Sequence, residues 1–192
     1  MSPQLATIYV FAIWAVSWFA AAFWADPAAG RSAFRDQVLY RIVTFIGAIL
    51  LFGIYGHSYH GRFRLWDVGE KAEWVLFGIA VAGLLFTWWA RIYLGRLWSS
   101  SVTKKADHHV VDTGPYRLVR HPIYTGIIAA LAAIAIQKGT LVALAGAIVM
   151  TLGFWIKARL EERFLREQLG AEAYDSYRRR VPMLIPFGPK SG

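Results

Sequence analysis

The chain has 192 residues, of which 57 % are hydrophobic and 17 % charged, with 21 lysines and arginines against 12 acidic residues. That apolar share exceeds what one globular core needs and points to lipid. The lack of cysteine excludes disulfide frameworks, thiolate zinc sites and cysteine nucleophiles, and the net charge of +9 lies between apolar runs, which fits membrane anchoring rather than a nucleic-acid face.

Leu5 to Trp24 is an uncharged run of twenty residues, long enough for a helix to cross the hydrocarbon. It is predicted as the first span, since a cleaved leader would carry a positive N-terminal region that is missing here. Asp26 and Pro27 close it, and Arg31, Arg35, Asp36 and Arg41 are assigned to a polar loop. Ile42 to Gly56, extendable to His60, is a short second span. A loop from Gly61 to Lys71 precedes the third span, Trp74 to Ala90, which has tryptophans at both ends in the interfacial positions. A long polar connection then leads to a stretch dense in chemistry, Thr113 to Gly126. Two further apolar runs, Pro122 to Ile136 and Thr140 to Ile156, are separated by so few residues that they must form an antiparallel hairpin. The alanines and glycines of the first predict close helix packing. From Lys157 apolar residues recur at helical spacing among charges, Gly170 is a stop signal, and Ala171 to Arg180 reads as a short helix.

These elements predict one all-α integral membrane domain over residues 1–192 with about five transmembrane helices. Residues 1–60 hold the first two spans, and 74–187 hold the third span, the focal stretch, the hairpin and a C-terminal helical extension that folds back over the site. Alternating the loops across the bilayer puts 17 lysines and arginines on one side and 4 on the other. By the positive-inside rule the focal stretch and the tail then face the cytoplasm together, with the N-terminus outside.

The sequence TGPYRLVRHPIYTG at 113–126 places two arginines, a histidine and two tyrosines between apolar segments. Polar groups at membrane depth are tolerated mainly where they are paired or line a cavity. Facing it, Glu161 and Glu162 would complete a mixed-charge pocket. Arginine can grip a carboxylate or phosphate, tyrosine faces can stack on a base, and glutamates can accept from ribose hydroxyls or an ammonium group. Pro122 at a helix start leaves backbone N–H groups for an anion. The inventory suits a cofactor that is part nucleoside and part zwitterion. Bland alternatives remain at this point: Arg117 and Arg120 as interfacial anchors, and Glu161 and Glu162 as a solvated face with Arg163 and Arg166. Adjacent His108 and His109 diverge in direction and lack a carboxylate-histidine ligand pattern, so no metal is expected.

The segment HHVVDTGPYRLVRHPIYTG at 108–126, followed by EERFL from 161 and LGAEAYDSYRRRVPMLIPF at 169–187, resembles the isoprenylcysteine carboxyl methyltransferase family, whose relatives include phospholipid N-methyltransferases and small prokaryotic membrane methyltransferases. The resemblance covers about the C-terminal half, in three linked motifs. It implies an enzyme that uses S-adenosylmethionine, releases S-adenosylhomocysteine, and acts at the cytosolic face of a prokaryotic inner membrane on a lipid or lipophilic acceptor. His108, Gly114, Tyr116, Arg120, His121, Pro122, Tyr124 and Glu162 match the motif and are the implied cofactor-binding residues. Arg96 and Glu161 are implied to orient the acceptor. Tyr174, Tyr177 and Arg178 to Arg180 are taken as lid packing and anchoring.

Two rivals stand beside this. Sterol reductases resemble the same C-terminal half and use a nicotinamide cofactor, but they are much longer and lack the combination of RHPxYxG with paired glutamates. A basic membrane adaptor explains the charge and leaves the focal stretch without a purpose.

Overall fold

The computed structural model describes residues 1–21, 30–31, 34–53, 64–95, 98, 103–104 and 110–190. Within them the chain is an all-α bundle of five apolar helices and a sixth, amphipathic one: α1 Pro3–Ala20, α2 Phe34–Phe52, α3 Glu70–Leu94, α4 Pro122–Lys138, α5 Leu141–Leu169 and α6 Ala171–Arg180. α1, α3 and α5 are long and apolar enough to cross a membrane; α4 and the apolar part of α2, Gln37–Phe52, are shorter. Their outward faces carry Ile13, Val16, Phe19, Phe45, Ile49, Val75, Leu85 and Ile148, all exposed. A water-soluble protein does not present so continuous an apolar girdle, and the lipid tails account for it.

Local signals set the helix ends. Ser2 caps α1, its Oγ accepting the Leu5 N–H at 3.3 Å, with Pro3 at the first helical position. Gly139, at φ 66°, ends α4 and sends its N–H back to Ala135 and Ile136, and Thr140 then caps α5 through the Ala143 N–H. This two-residue turn makes the antiparallel hairpin expected from sequence. Gly170, at φ 87°, separates α5 from α6.

Several boundaries differ from expectation. α1 ends at Ala20, and Trp24 lies outside the described residues. α2 begins at Phe34, so Arg35, Asp36 and Arg41, assigned above to a loop, are helical; Arg41 donates to Gln37 one turn earlier at 2.8 Å. α3 likewise takes in Glu70, Lys71 and Arg91, with Glu70 and Glu73 in its first turn, where the helix dipole favours carboxylates. Charge marks where lipid contact ends, and the helix can run on into the interface. A two-residue antiparallel pair, β1 Gly30–Arg31 with β2 Thr103–Lys104, joins two connecting segments.

Packing shows the direction of each helix. Trp14 meets Thr87, Ser17 meets Trp88 and Ala21 meets Arg91, so α1 and α3 run parallel. α3 and α4 run antiparallel through Gly83 and Gly126, where a Cβ on Gly83 would stand 2.6 Å from the Gly126 carbonyl. α2 and α5 are antiparallel along Gly47 and Gly146 and then Thr44 and Gly153. Glycine at these seams lets backbones touch, which replaces the hydrophobic drive that lipid removes. Each successive apolar helix therefore reverses direction. Leu51, Ile127, Leu131, Ile134 and Met150 fill the space between α2, α4 and α5.

The alternation gathers two polar ends. At one, Arg64 pairs with Glu73 at 3.0 Å, Gln137 donates to the Glu73 carbonyl, and Lys138 donates to the Leu51 carbonyl. At the other lie the ends of α1, α3 and α5, the starts of α2 and α4, and the focal stretch.

Candidate functional site

The focal stretch enters the second polar end through a 3₁₀ turn, Gly114–Arg117. Gly114 has φ 56° and packs against the Tyr93 ring, which a Cβ would strike at 2.6 Å; only glycine fits. Tyr93 donates to Thr113 Oγ1 at 2.6 Å, fixing the turn to the end of α3. Tyr116 is buried beneath it.

Arg120 and His121 follow, immediately before Pro122 opens α4. Their backbone N–H groups donate to the Pro182 and Met183 carbonyls at 2.9 and 3.1 Å, and Thr125 Oγ1 donates to the Leu184 carbonyl at 2.6 Å. The chain beyond α6 is thus stitched along the start of α4, the fold-back expected from sequence. Tyr177 adds a hydrogen bond to the Tyr116 carbonyl at 2.7 Å, Arg180 pairs with Asp112 at 2.9 Å, and Tyr174, Tyr177 and Val181 pack with Val110, Leu165 and Leu169.

α5 continues past its uncharged section, which ends at Ile156, and carries Glu161 and Glu162 to the same place. Neighbouring residues on a helix diverge by about 100°, so the two carboxylates address different partners. Glu162 meets Arg120 Nε at 2.6 Å and stands 3.5 Å from Arg178 Nε. Glu161 accepts from Tyr124 at 2.6 Å and lies 3.9 Å from Lys157. His121 spans the gap, with Nε2 3.3 Å from Glu162 and Nδ1 3.5 Å from Glu161. Arg120 Nη1 further donates to the carbonyls of Arg178 and Val181 at 3.1 and 2.5 Å. Its side chain is 0 % exposed and that of Glu162 5 %, whereas Glu161 keeps 20 %.

The electrostatics follow from this layout. Burial alone would strip the His121 proton, but hydrogen bonds to Glu161 and Glu162 outweigh it and raise the His121 pKa above its ordinary value. Burial would push Glu162 up, yet His121 and Arg120 hold it down at about 2, and the Glu161 pKa is likewise lowered by His121 and Lys157. The centre is therefore a histidine between two carboxylates that favour its protonated form. Stacked on it is an aromatic pile: Tyr124 lies parallel to His121 at 5.5 Å and to Phe154 at 5.4 Å, with the Lys157 ammonium over Tyr124.

The structure brings together five of the sequence-derived residues, Arg120, His121, Tyr124, Glu161 and Glu162, with Pro122 in the backbone between them. Gly114 and Tyr116 form the adjoining turn. Arg96 and His108 lie outside the described residues. Arg178, grouped above with the lid, reaches Glu162 itself. Sequence reading missed Lys157, Phe154 and the Pro182 to Leu184 carbonyls; Lys157 had a signal in its four-residue spacing from Glu161, and the carbonyls had none. Among the described residues no group of three metal-ligating side chains occurs.

A family model described as isoprenylcysteine carboxyl methyltransferase (ICMT) matches residues 74–167. The cobalt-zinc-cadmium resistance protein CzcN of Cupriavidus metallidurans is 31 % identical over 168 residues, 82 % of this chain and 70 % of that protein. Protein-S-isoprenylcysteine O-methyltransferase B of Arabidopsis thaliana is 29 % identical over 126 residues, 62 % of this chain and 64 % of that one. A methanethiol S-methyltransferase of a Pseudomonas species is 44 % identical over 71 residues, 37 % of this chain and 26 % of that protein. The chain thus spans under two thirds of either named methyltransferase.

Proposed function

The chain belongs to the isoprenylcysteine carboxyl methyltransferase family, and on that premise we propose that it transfers a methyl group from S-adenosylmethionine to a lipophilic acceptor at the cytosolic face of a prokaryotic inner membrane. The family and its relatives support a membrane methyltransferase. The observation that carries the finer reading is the buried convergence of Arg120, His121, Tyr124, Glu161 and Glu162 where the focal stretch, α5 and the tail meet.

The groups present suit the donor. A zwitterionic nucleoside needs an acceptor for its ammonium or ribose, a donor for its carboxylate, and an aromatic wall. Glu161 keeps an exposed edge. Arg178 brings a guanidinium to the same place, with Nε 3.5 Å from Glu162 and Nη1 3.2 Å from Asp175. The His121, Tyr124 and Phe154 rings offer the wall. Arg120 and Glu162 are already joined, so their role is to position: they hold the tail against α4 and fix His121. Gly114, Tyr116 and Pro122 shape the adjoining turn.

When bound, S-adenosylmethionine supplies an electrophilic methyl on a sulfonium. In-line transfer of such a group needs alignment and dryness more than a side-chain nucleophile. The tail, stitched over α4, would shield the donor from water, and Glu161, held by His121 and Tyr124, would supply negative charge for a cationic donor while its carboxylate stays engaged.

Calorimetric titration of the detergent-purified protein tests this. Saturable binding of S-adenosylhomocysteine is expected. Binding of NADPH in its place would replace the proposal with a reductase.

A further inference from the structure

Beyond the carbonyls that meet α4, the tail makes a turn over 185–188, closed by the Gly188 N–H donating to the Ile185 carbonyl at 2.9 Å. Pro186 presets the first central residue of that turn. Phe187 takes the second with φ 61°, the one positive φ on a residue other than glycine among the described residues. That place ordinarily belongs to glycine or asparagine, because a Cβ crowds the backbone there. The turn thus accepts strain, and what it projects is apolar: Phe187 is 95 % exposed and Ile185 68 %.

The level of the turn in the bundle says what surrounds those side chains. The Pro182, Met183 and Leu184 carbonyls accept in order from Arg120, His121 and Thr125, so the tail advances along α4 from its cap into its first turn, toward the apolar middle of the bundle. Tyr124, at that level, stacks on Phe154 and has the Lys157 ammonium over its ring. Ile156, between those two residues of α5, is the last of its uncharged section. The turn therefore stands where α5 leaves the hydrocarbon, at the boundary of acyl chains and headgroups. In water, a strained backbone holding out a phenyl ring and a branched aliphatic chain is costly on both counts. At that boundary, burial of the two side chains offsets the strain. Arg179 before the turn and Lys190 after it are exposed and complement anionic headgroups.

We propose that the 185–188 turn is a membrane anchor: Phe187 and Ile185 insert into the phospholipid leaflet at this end of the bundle and so hold the 182–184 strap against the start of α4. The partner is the bilayer itself, and the anchor stands whether or not the protein transfers methyl groups. The apolar girdle on the helices solvates the bundle in lipid. The turn does something different, since it ties the cover over Arg120 and His121 to the leaflet, and lifting the turn loosens that cover.

The test exploits the lack of cysteine in the chain. Pro189→Cys, exposed beside the turn, takes a nitroxide label with Phe187 intact, and the protein is reconstituted into vesicles of phosphatidylcholine and phosphatidylglycerol. Power saturation is expected to find this label accessible to oxygen and shielded from a water-soluble nickel complex. A label on Glu172→Cys, exposed on α6, should report water. Phe187→Gly removes the ring and the strain together, so Tm in detergent should hold or rise slightly. In vesicles the same change should shift the ratio of inserted to lifted turns by about tenfold or more, whereas Phe187→Trp should keep insertion. Amide exchange at Arg120 and His121 in the same vesicles should quicken with Phe187→Gly and not with Phe187→Trp. A Pro189→Cys label as open to nickel as the Glu172→Cys label, or a depth unchanged by Phe187→Gly, overturns the anchor. Unchanged amide exchange overturns its hold on the strap. Shielding from both agents, with spin–spin broadening, would put a second copy on the turn and overturn the lipid assignment.

Discussion

Arg120 Nε sits 2.6 Å from Glu162 Oε1, and the same guanidinium holds the carbonyls of Arg178 and Val181. One side chain therefore couples α4, α5 and the tail. Arg120→Ala strands a buried carboxylate and releases two carbonyls, so it should cost about 3 kcal/mol and weaken S-adenosylhomocysteine binding together with stability. Thermal unfolding in detergent and calorimetry on the same preparation check this; loss of binding with an unchanged Tm would make Arg120 a direct ligand.

His121 makes stability depend on pH. Its folded pKa lies above the ordinary value, so the folded state binds the proton more tightly than the unfolded one. The contribution is complete below about pH 6.5 and is lost as pH rises through the folded value. Glu162 works in the opposite sense: with its pKa lowered to about 2, it stabilises above its ordinary value and that gain is lost as pH falls toward 2. Tm should thus decline on the alkaline side, and His121→Gln should flatten that limb. A wild-type Tm that climbs steadily from about pH 6 to pH 9 contradicts the imidazolium assignment.

The α3–α4 seam admits no side chain at Gly83 or Gly126. Gly126→Ala should destabilise the protein by about 1–3 kcal/mol through backbone separation. Gly78→Ala, on the facing helix α3 with open space around it, should be neutral or slightly stabilising. Equal effects of the two would mean that the seam is loose.

Tyr177→Phe removes the hydrogen bond to the Tyr116 carbonyl at a cost of about 1 kcal/mol. Trypsin cleavage within Arg178 to Arg180 should accelerate more than cleavage elsewhere, since that bond pins the segment. Uniform acceleration would indicate global destabilisation instead.

The alternating helix directions gather both parts of the site at one polar end of the bundle, and from the charge asymmetry we propose that this end faces the cytoplasm. A periplasmic reporter fused after Phe187 should be silent, and activity there would invert the assigned topology.

Much of this was legible in the sequence, for local reasons. Ser2, Pro122, Gly139 and Gly170 punctuate helices by their own chemistry, and the apolar runs between them have little choice in lipid. Charge was a poorer guide: Arg35, Asp36 and Arg41 look like a loop, yet a helix at the interface can keep its ladder while its side chains turn to water or headgroups. At the site, the motif residues met as expected because RHPxY and the paired glutamates lie at the facing ends of α4 and α5. What escaped were partners without side-chain signatures, the Pro182 to Leu184 carbonyls.

The bonds from Arg120 and His121 to the Pro182 and Met183 carbonyls also set an order of events during synthesis. Those carbonyls are made after α1 to α5, so a ribosome must pass α5 and α6 before the site can close. Until then Arg120 and His121, at the start of α4, lack the tail that covers them and stay open to water.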